Sequence, residues 1–277
     1  MAEVRVLGPF QAIGPRGSTT LTSSRQRALI GLLALSSAAP VSVAKLVSGI
    51  WGEDAPRTAV RTLQSHVARA RRSLADCGLA DLLVVDRSGY RLLVDQQDVD
   101  AYRFEDRVRD ARRLLAAGDV AGAAAGWGAA LQLWCGEPLQ GTDLSGWGAA
   151  EVSRLREARL AAIEDWCDAL LRLGMHAQAE DELQRLRGAY PERERPAGLL
   201  MLARYRAGRH AEALAGYAEL REQLADTLGI DPSPELQRLH TAMLCRDPNL
   251  DFVDPAHAMA ADSPARTAPA AVPAPAA

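Results

Sequence analysis

Lysine is almost missing from this chain: Lys45 stands alone among 32 basic residues, and the other 31 are arginines. With the abundant alanine, that bias points to a GC-rich genome and says nothing about function. Long apolar runs are missing too. No stretch of about 18 uninterrupted apolar residues occurs, so no membrane-spanning helix and no membrane partner is expected. The opening "MAEVRVLGPF" lacks a basic segment followed by an apolar one, which argues against secretion. The four cysteines, Cys77, Cys135, Cys167 and Cys245, form no CxxC pair. They read as reduced, partly buried thiols of a cytoplasmic protein.

Catalytic signatures are equally scarce. The chain has no GxxxxGK[ST], HExxH or GxSxG motif and no cluster with metal-ligand spacing. His66, His176, His210, His240 and His257 are isolated from one another, which suits surface or capping roles. No catalytic residue, metal or cofactor is therefore expected, and the protein does not read as an enzyme. Nor does 277 residues leave room for a phosphoacceptor receiver or a nucleotide-binding ATPase module beside what is read below.

What is present is uneven charge. The net charge of −3 hides a basic amino-terminal third: residues 1–95 hold 12 basic and 7 acidic side chains, and residues 96–277 hold 20 and 28. From Ala55 to Ala75 there is no acidic residue, although Arg57, Arg61, Arg69, Arg71 and Arg72 fall within it. A basic module joined to a different, acidic domain is the pattern of a nucleic-acid-binding protein.

The element pattern divides at the same place. Alternating short runs broken by Gly8-Pro9 and Gly14-Pro15 predict a small antiparallel sheet. A helix capped by Ser23 or Ser24 follows, running to about Ser37; a second starts near Ser42 and ends at Gly52; a third spans Ala59 to about Asp76. "LLVVDRSGYRLLV" then predicts a hairpin turning at Arg87-Ser88-Gly89. Sheet, three helices and a terminal hairpin describe a winged helix. From Val99 onward the pattern is helix after helix, at about 101–117, 119–134, 149–173, 176–189, 195–207, 210–228 and 234–245. Gly118, Gly174 and Gly208 are each followed by alanines three and five places later, and the last two lie at tetratricopeptide spacing. Their register is good; that of the first repeat is poor. The expected fold class is thus an α+β amino-terminal winged helix followed by an all-α tetratricopeptide-like helical bundle. Its domains would be 1–95, 96–246 and a disordered Pro/Ala-rich tail at 247–277.

On the third helix, at about 100° per residue, Val60, Leu63, Val67, Ala70 and Leu74 form an apolar stripe for a core. Arg61, Thr62, Ser65, Arg69 and Arg72 lie opposite. His66 and Gln64 take the two flanks, and Arg71 sits near the core edge, where it must snorkel. One anchored face and one face of guanidinium, hydroxyl and amide groups suit a helix in the major groove, where Arg reads guanine bidentately. A solvated basic face is the plainer alternative. The hairpin weighs against it, since Arg87 at its tip and Arg91 could reach an adjacent minor groove or the backbone. The tryptophans at 51, 127, 134, 147 and 166 read as core, with Trp147 also placed to line a ligand groove.

"SSRQRALIGLLAL", "LVSGIWGEDAPRTAVRTLQSHVARARRSL" and "SGYRLLV" resemble the winged helix of the Streptomyces antibiotic regulatory protein family, itself similar to the output domain of response regulators. "DVDAYRFE", "LWCGEPLQG" and "RAGRHAEALAGYAELREQLADTLGIDPSPELQRLH" resemble that family's bacterial transcriptional activation domain. The resemblance covers roughly residues 3–245, in order. It departs at "AYPERERPAGLL", where relatives usually have His before the Pro. It implies a short-form cytoplasmic, nucleoid-associated activator of a secondary-metabolite gene cluster. Such a protein binds double-stranded DNA at direct repeats near a promoter's −35 region, pairs there and recruits RNA polymerase holoenzyme. Carried over by position, Arg61, Thr62, Ser65, His66 and Arg69 would approach bases, and Arg71, Arg72, Arg87 and Arg91 the backbone or minor groove. Gly52, Glu53, Asp54, Ala55, Pro56 and Arg57 occupy the loop that contacts polymerase in this class; without the resemblance they read as an ordinary connector. Two other readings stand beside this one: a helical-repeat adaptor for protein partners, and a ligand-sensing regulator whose helical domain forms the pocket.

Overall fold

Pro15 and Arg16 make the two-residue turn that folds β2 (Gln11–Gly14) onto β3 (Gly17–Thr19), and β1 (Glu3–Arg5) pairs antiparallel with β2 on its other edge. The computed structural model describes residues 2–19 and 21–252. It contains two compact units, 1–169 and 170–277, the division falling within helix α6 (Gly146–Arg172).

In the first unit, α1 (Ser24–Ala34) is buried on nearly every side, from Gln26 and Ala28 through Ala34, which is why its sequence shows apolar content without a clean stripe. It stops before the predicted Ser37 because Ser37 and Ala38 adopt φ of 51° and 58°, outside helical geometry. Helix α2 (Val43–Trp51) is capped by the Ser42 side chain, which accepts from the Lys45 N–H, and is closed by Gly52 at φ 64°. Next come α3 (Ala59–Asp76) and the wing, β4 (Leu83–Asp86) and β5 (Gly89–Leu92). The wing is docked on the α1–α2 connection: Tyr90 and Val41 exchange backbone hydrogen bonds of 2.9 and 2.8 Å. A Cβ at Gly89 would lie 2.0 Å from the Val41 carbonyl oxygen, so that docking requires glycine.

Helices α4 (Asp100–Ala116) and α5 (Val120–Leu131) complete the first unit with the first part of α6. The second unit continues with α7 (His176–Ala189), α8 (Glu194–Arg206), α9 (His210–Leu228) and α10 (Pro234–Leu244) around Ala197, Met201, Tyr205, Leu220, Leu224 and Met243. Three helix pairs turn in the same way. Gly118, Gly174 and Gly208 have φ of 86°, 77° and 77°. The N–H of the next residue returns to a carbonyl five places back: Asp119 to Leu114, Met175 to Leu170 and Arg209 to Arg204. Ala123, Ala179 and Ala213, five residues beyond each glycine, are fully buried. The first repeat, poor in sequence register, therefore has the same turn as the other two.

The expected tail begins too early at 247. Pro248–Leu250 form a 3-10 turn, Arg206 Nε donates to the Leu250 carbonyl at 2.8 Å, and Phe252 meets the His176 ring edge to face. The rest of that tail lies outside the described residues.

One buried carboxylate joins three helices of the second unit. Glu180 on α7 accepts from Gln184 at 3.1 Å and from Arg204 on α8 at 3.3 Å, and pairs with Arg209 ahead of α9. The Arg209 guanidinium, then Arg204, holds its pKa below the ordinary carboxyl value of 4.5. A depressed carboxylate stabilises the fold above that value and loses the contribution as pH falls through its folded pKa. Glu180→Gln should therefore cost about 1–2 kcal/mol at neutral pH, since both arginines keep partial exposure. Urea denaturation at pH 7 and pH 3 should show the gap between variant and wild type closing in acid.

Candidate nucleic-acid interface

Helix α3 buries Ala59, Leu63, Val67, Ala70 and Leu74. Leu63, Ala70 and Leu74 have no exposure at all, which fixes the helix's rotation against the core. Val60, expected in that stripe, is 50% exposed. Its direction falls toward the margin of the arc that Leu63, Ala70 and Leu74 define, and Ala59 on the other margin takes the place. The face turned away from the core carries Arg61, Ser65, Arg69 and Arg72, with Gln64 and Ala68 beside them, all exposed. None of these arginines makes an ion pair among the described residues. Ser65 Oγ donates back to the Arg61 carbonyl at 3.1 Å, leaving its lone pairs outward. There is no acidic residue in the first turn of α3, and Thr58 at its N-cap makes no side-chain bond. The positive end of the helix dipole is therefore uncancelled on the same surface.

The other expected contacts are placed differently. Thr62 is half-buried beside this face. His66 turns to Trp51, ring centroids 6.5 Å apart, and its Nδ1 is buried without a partner. Burial, then the charges of Arg69 and Arg25, depress its pKa, so the ring is neutral. Arg25 lies over the other ring of that tilted pair, 5.2 Å from the Trp51 centroid, and also donates to the Ile50 carbonyl. Arg71 Nε donates to the Leu83 carbonyl at 3.0 Å, so this half-buried arginine fastens α3 to the wing through one guanidinium nitrogen, and its two terminal nitrogens make no bond among the described residues. In the wing, Arg87 is exposed at the turn with no ion pair among the described residues, while Arg91 is half-buried and lies 3.9 Å from Asp86. The exposed surface of α3 and the wing thus gathers Arg61, Arg69, Arg72 and Arg87 without ion pairs among the described residues and Ser65 bonded to its own helix, ties back Arg71 and Arg91, and draws His66 aside. Gln64 keeps the flank that helical projection gives it, and Ala68, not singled out from sequence, lies between it and Arg61.

The connection from α2 to α3 begins with a 3-10 turn at Gly52–Asp54. Glu53, Asp54, Pro56 and Arg57 are exposed, Ala55 and Gly52 are half-buried, and Glu53, Asp54 and Arg57 form no ion pair among the described residues. A Cβ on Gly52 would come within 2.9 Å of Ser145 Cβ.

Ser145 ends a strap, residues 135–145, that runs into the start of α6 and that sequence patterning leaves as a mere linker. The strap is sewn to the winged helix by backbone bonds: Cys135 N–H to Leu7, Leu139 N–H to Val6, Gln140 N–H to Gly8 and Ser145 N–H to Gly49, all between 2.8 and 3.1 Å. Leu139 packs on Gly31 of α1, where a Cβ would lie 2.3 Å from its Cδ2. Trp147 packs on Gly49 of α2 and donates its indole N–H to the Lys45 carbonyl at 2.6 Å. Its ring also lies 4.6 Å from the Lys45 ammonium. The sequence signal was available in the glycines at 31, 49 and 148, which are close-approach positions inside helices.

Two family models match the chain in succession. A family model described as "transcriptional regulatory protein, C terminal" matches residues 17–92, and one described as "bacterial transcriptional activator domain" matches residues 99–244. The regulatory protein DnrI of Streptomyces peucetius is 33% identical over 256 residues, covering 90% of this chain and 94% of its own length. The regulatory protein AfsR of Streptomyces griseus is 38% identical over 247 residues, or 88% of this chain, yet the chain spans only 25% of AfsR. Among solved structures, Mycobacterium tuberculosis EmbR in complex with a low-affinity phosphopeptide matches with a TM-score of 0.81 at 28% identity. That match covers 88% of this chain and 65% of EmbR.

Proposed function

The chain belongs to the Streptomyces antibiotic regulatory protein family of transcriptional regulators, and on that premise we propose that it is a sequence-specific DNA-binding activator of a secondary-metabolite gene cluster. The observation that carries the reading is the face of α3: Arg61, Arg69 and Arg72, exposed and without a carboxylate partner, beside the exposed Arg87 of the wing. Uncompensated guanidinium groups on a helix anchored by its opposite face suit phosphate neutralisation and guanine recognition in the major groove. Residues 1–95 form the DNA-binding domain in this reading, and residues 96–246 the activation domain. Arg61, Ser65 and Arg69 face the bases, with Thr62 at the margin. Arg72, Arg87 and the free ends of Arg71 and Arg91 meet phosphate or the minor groove, while His66 positions α3 through Trp51.

The operator is a pair of direct repeats and the second partner is RNA polymerase holoenzyme. Direct repeats have no two-fold axis, so two copies must sit head-to-tail, and their spacing must respect the helical repeat. Shifting one repeat by about half a turn, roughly 5 bp, should abolish cooperative binding in a gel-shift titration, and a full turn should partly restore it. Binding indifferent to spacing would remove the paired arrangement.

Activation is assigned to the loop at 52–57, whose acidic side chains Glu53 and Asp54 are exposed and form no ion pair among the described residues. The double change Glu53→Ala with Asp54→Ala should leave operator affinity within about twofold, since surface substitutions away from contacts cost within about 0.5 kcal/mol. Transcription by purified polymerase from the same promoter should fall. Equal losses of binding and transcription would take the polymerase contact away from this loop.

A further inference from the structure

Within the second unit, α7, α8 and α9 border an open cleft of about 280 Å³ lined by Gln184, Arg187, Leu200, Met201, Arg204 and Glu219. Its floor is apolar: Leu200 and Met201 are 7% and 2% exposed. Two guanidinium groups border it, and they are not equivalent. Arg204 is neutralised by Glu180 at 3.3 Å. Arg187 is half-buried, spends one nitrogen on the Pro191 carbonyl and has no carboxylate within ion-pair distance among the described residues. Burial pushes its pKa down, Glu219 acts against that from a distance, and the like charge of Arg204 adds to it. A partly desolvated cation over an apolar floor, with Glu219 acting on it through space but no carboxylate in ion-pair contact among the described residues, is half of an anion site.

We infer that this cleft takes a small organic carboxylate, with the carboxyl group on Arg187 and the apolar body on Leu200 and Met201. The chemistry follows from the pairing of one planar, five-donor cation with a short apolar floor: Arg–carboxylate hydrogen bonds fix orientation, and the floor selects a compact hydrocarbon or aromatic body. The size is near the lower end of small-molecule pockets, which run from roughly 300 Å³, and it leaves no room for an extended peptide. The inference rests on the second unit alone and does not depend on DNA binding. It makes the helical domain a place where an acidic metabolite can bind.

Met201 supplies the readout. With isotope-labelled methionine methyl groups in the full chain, hexanoate and benzoate are titrated and the Met201 signal followed, assigned by its loss in Met201→Leu. A saturable shift is expected with at least one acid. The matching amides, hexanamide and benzamide, should bind at least about tenfold more weakly, because a hydrogen bond to a charged group is lost. Arg187→Gln should weaken the acid by a similar factor while the Met243 signal stays in place. No saturable shift with either acid, or equal affinity for acid and amide in the wild type, overturns the site. So does undiminished acid binding by folded Arg187→Gln. A shift seen only with an acetylated dipeptide bearing a free terminal carboxylate would overturn the small-molecule assignment.

Discussion

At about pH 4, where its carboxyl is protonated in the fold, Asp100→Ala is expected to lower the unfolding free energy by about 2–6 kcal/mol, because two buried N–H donors lose their acceptor at a cost of about 1–3 kcal/mol each. Asp100 is 3% exposed at the start of α4, and its two oxygens accept from the Val6 and Leu7 N–H groups at 2.8 and 3.1 Å. Those residues continue β1, and Val6 and Leu7 also offer their carbonyls to Leu139 and Cys135 of the strap. One carboxylate therefore holds the segment on which the strap is sewn. Burial raises its pKa from 3.8 to about 6, outweighing the N–H bonds that lower it. With the folded value above the unfolded one, the contribution is fully present below about pH 3.8 and is lost as pH rises through about 6. At neutral pH the ionised group should cost on the order of 3 kcal/mol relative to its protonated form. Asp100→Asn cannot titrate, and it sets an amide NH2 against one of the two donors. Denaturant titrations across pH 4–8 should show wild type losing stability relative to Asn as pH rises. Parallel curves for the two proteins would mean that Asp100 has an ordinary pKa.

The elements themselves were legible because each is announced locally. Alternation, Ser42 at a cap, Gly52 at a helix end and Gly174 at Gly208's spacing each act within a few residues of where they stand. What joins the elements was not. Asp100 is one carboxylate in a short acidic segment, and nothing near it in sequence says that its partners are residues 6 and 7. The strap reads as a loop because its order comes from bonds to Leu7, Val6, Gly8 and Gly49, far away along the chain. On α3, projection ranked the faces correctly but misassigned the margins. Val60 turned out and Ala59 turned in, because at the edge of a stripe the neighbouring element decides. His66 likewise flanks the basic face in projection, and Trp51, on another helix, draws it away. The charge of Arg71 was visible; its bond to Leu83 was not, since that depends on where the wing docks.

Arg69→Ala and Arg72→Ala should separate the reading of bases from the neutralisation of phosphate on a single helix. Both side chains are exposed and unpaired, so their removal disturbs no internal contact beyond the influence of Arg69 on the His66 ring. If Arg69 donates bidentately to a guanine, its loss should cost about 1–3 kcal/mol on the operator and much less on random DNA. If Arg72 meets phosphate, its loss should weaken binding to every sequence alike and reduce the slope of log K against log salt by roughly one unit. Arg71→Ala is the control between them: it should also lower the melting temperature, because the Leu83 carbonyl loses its donor. The measurement is fluorescence anisotropy on operator and scrambled duplexes over a salt series, with thermal melts of each variant. Equal losses on both duplexes for Arg69→Ala would demote it to a backbone contact. No loss on either, with the fold intact, would leave the basic face of α3 without a nucleic acid to bind and favour a protein-binding adaptor.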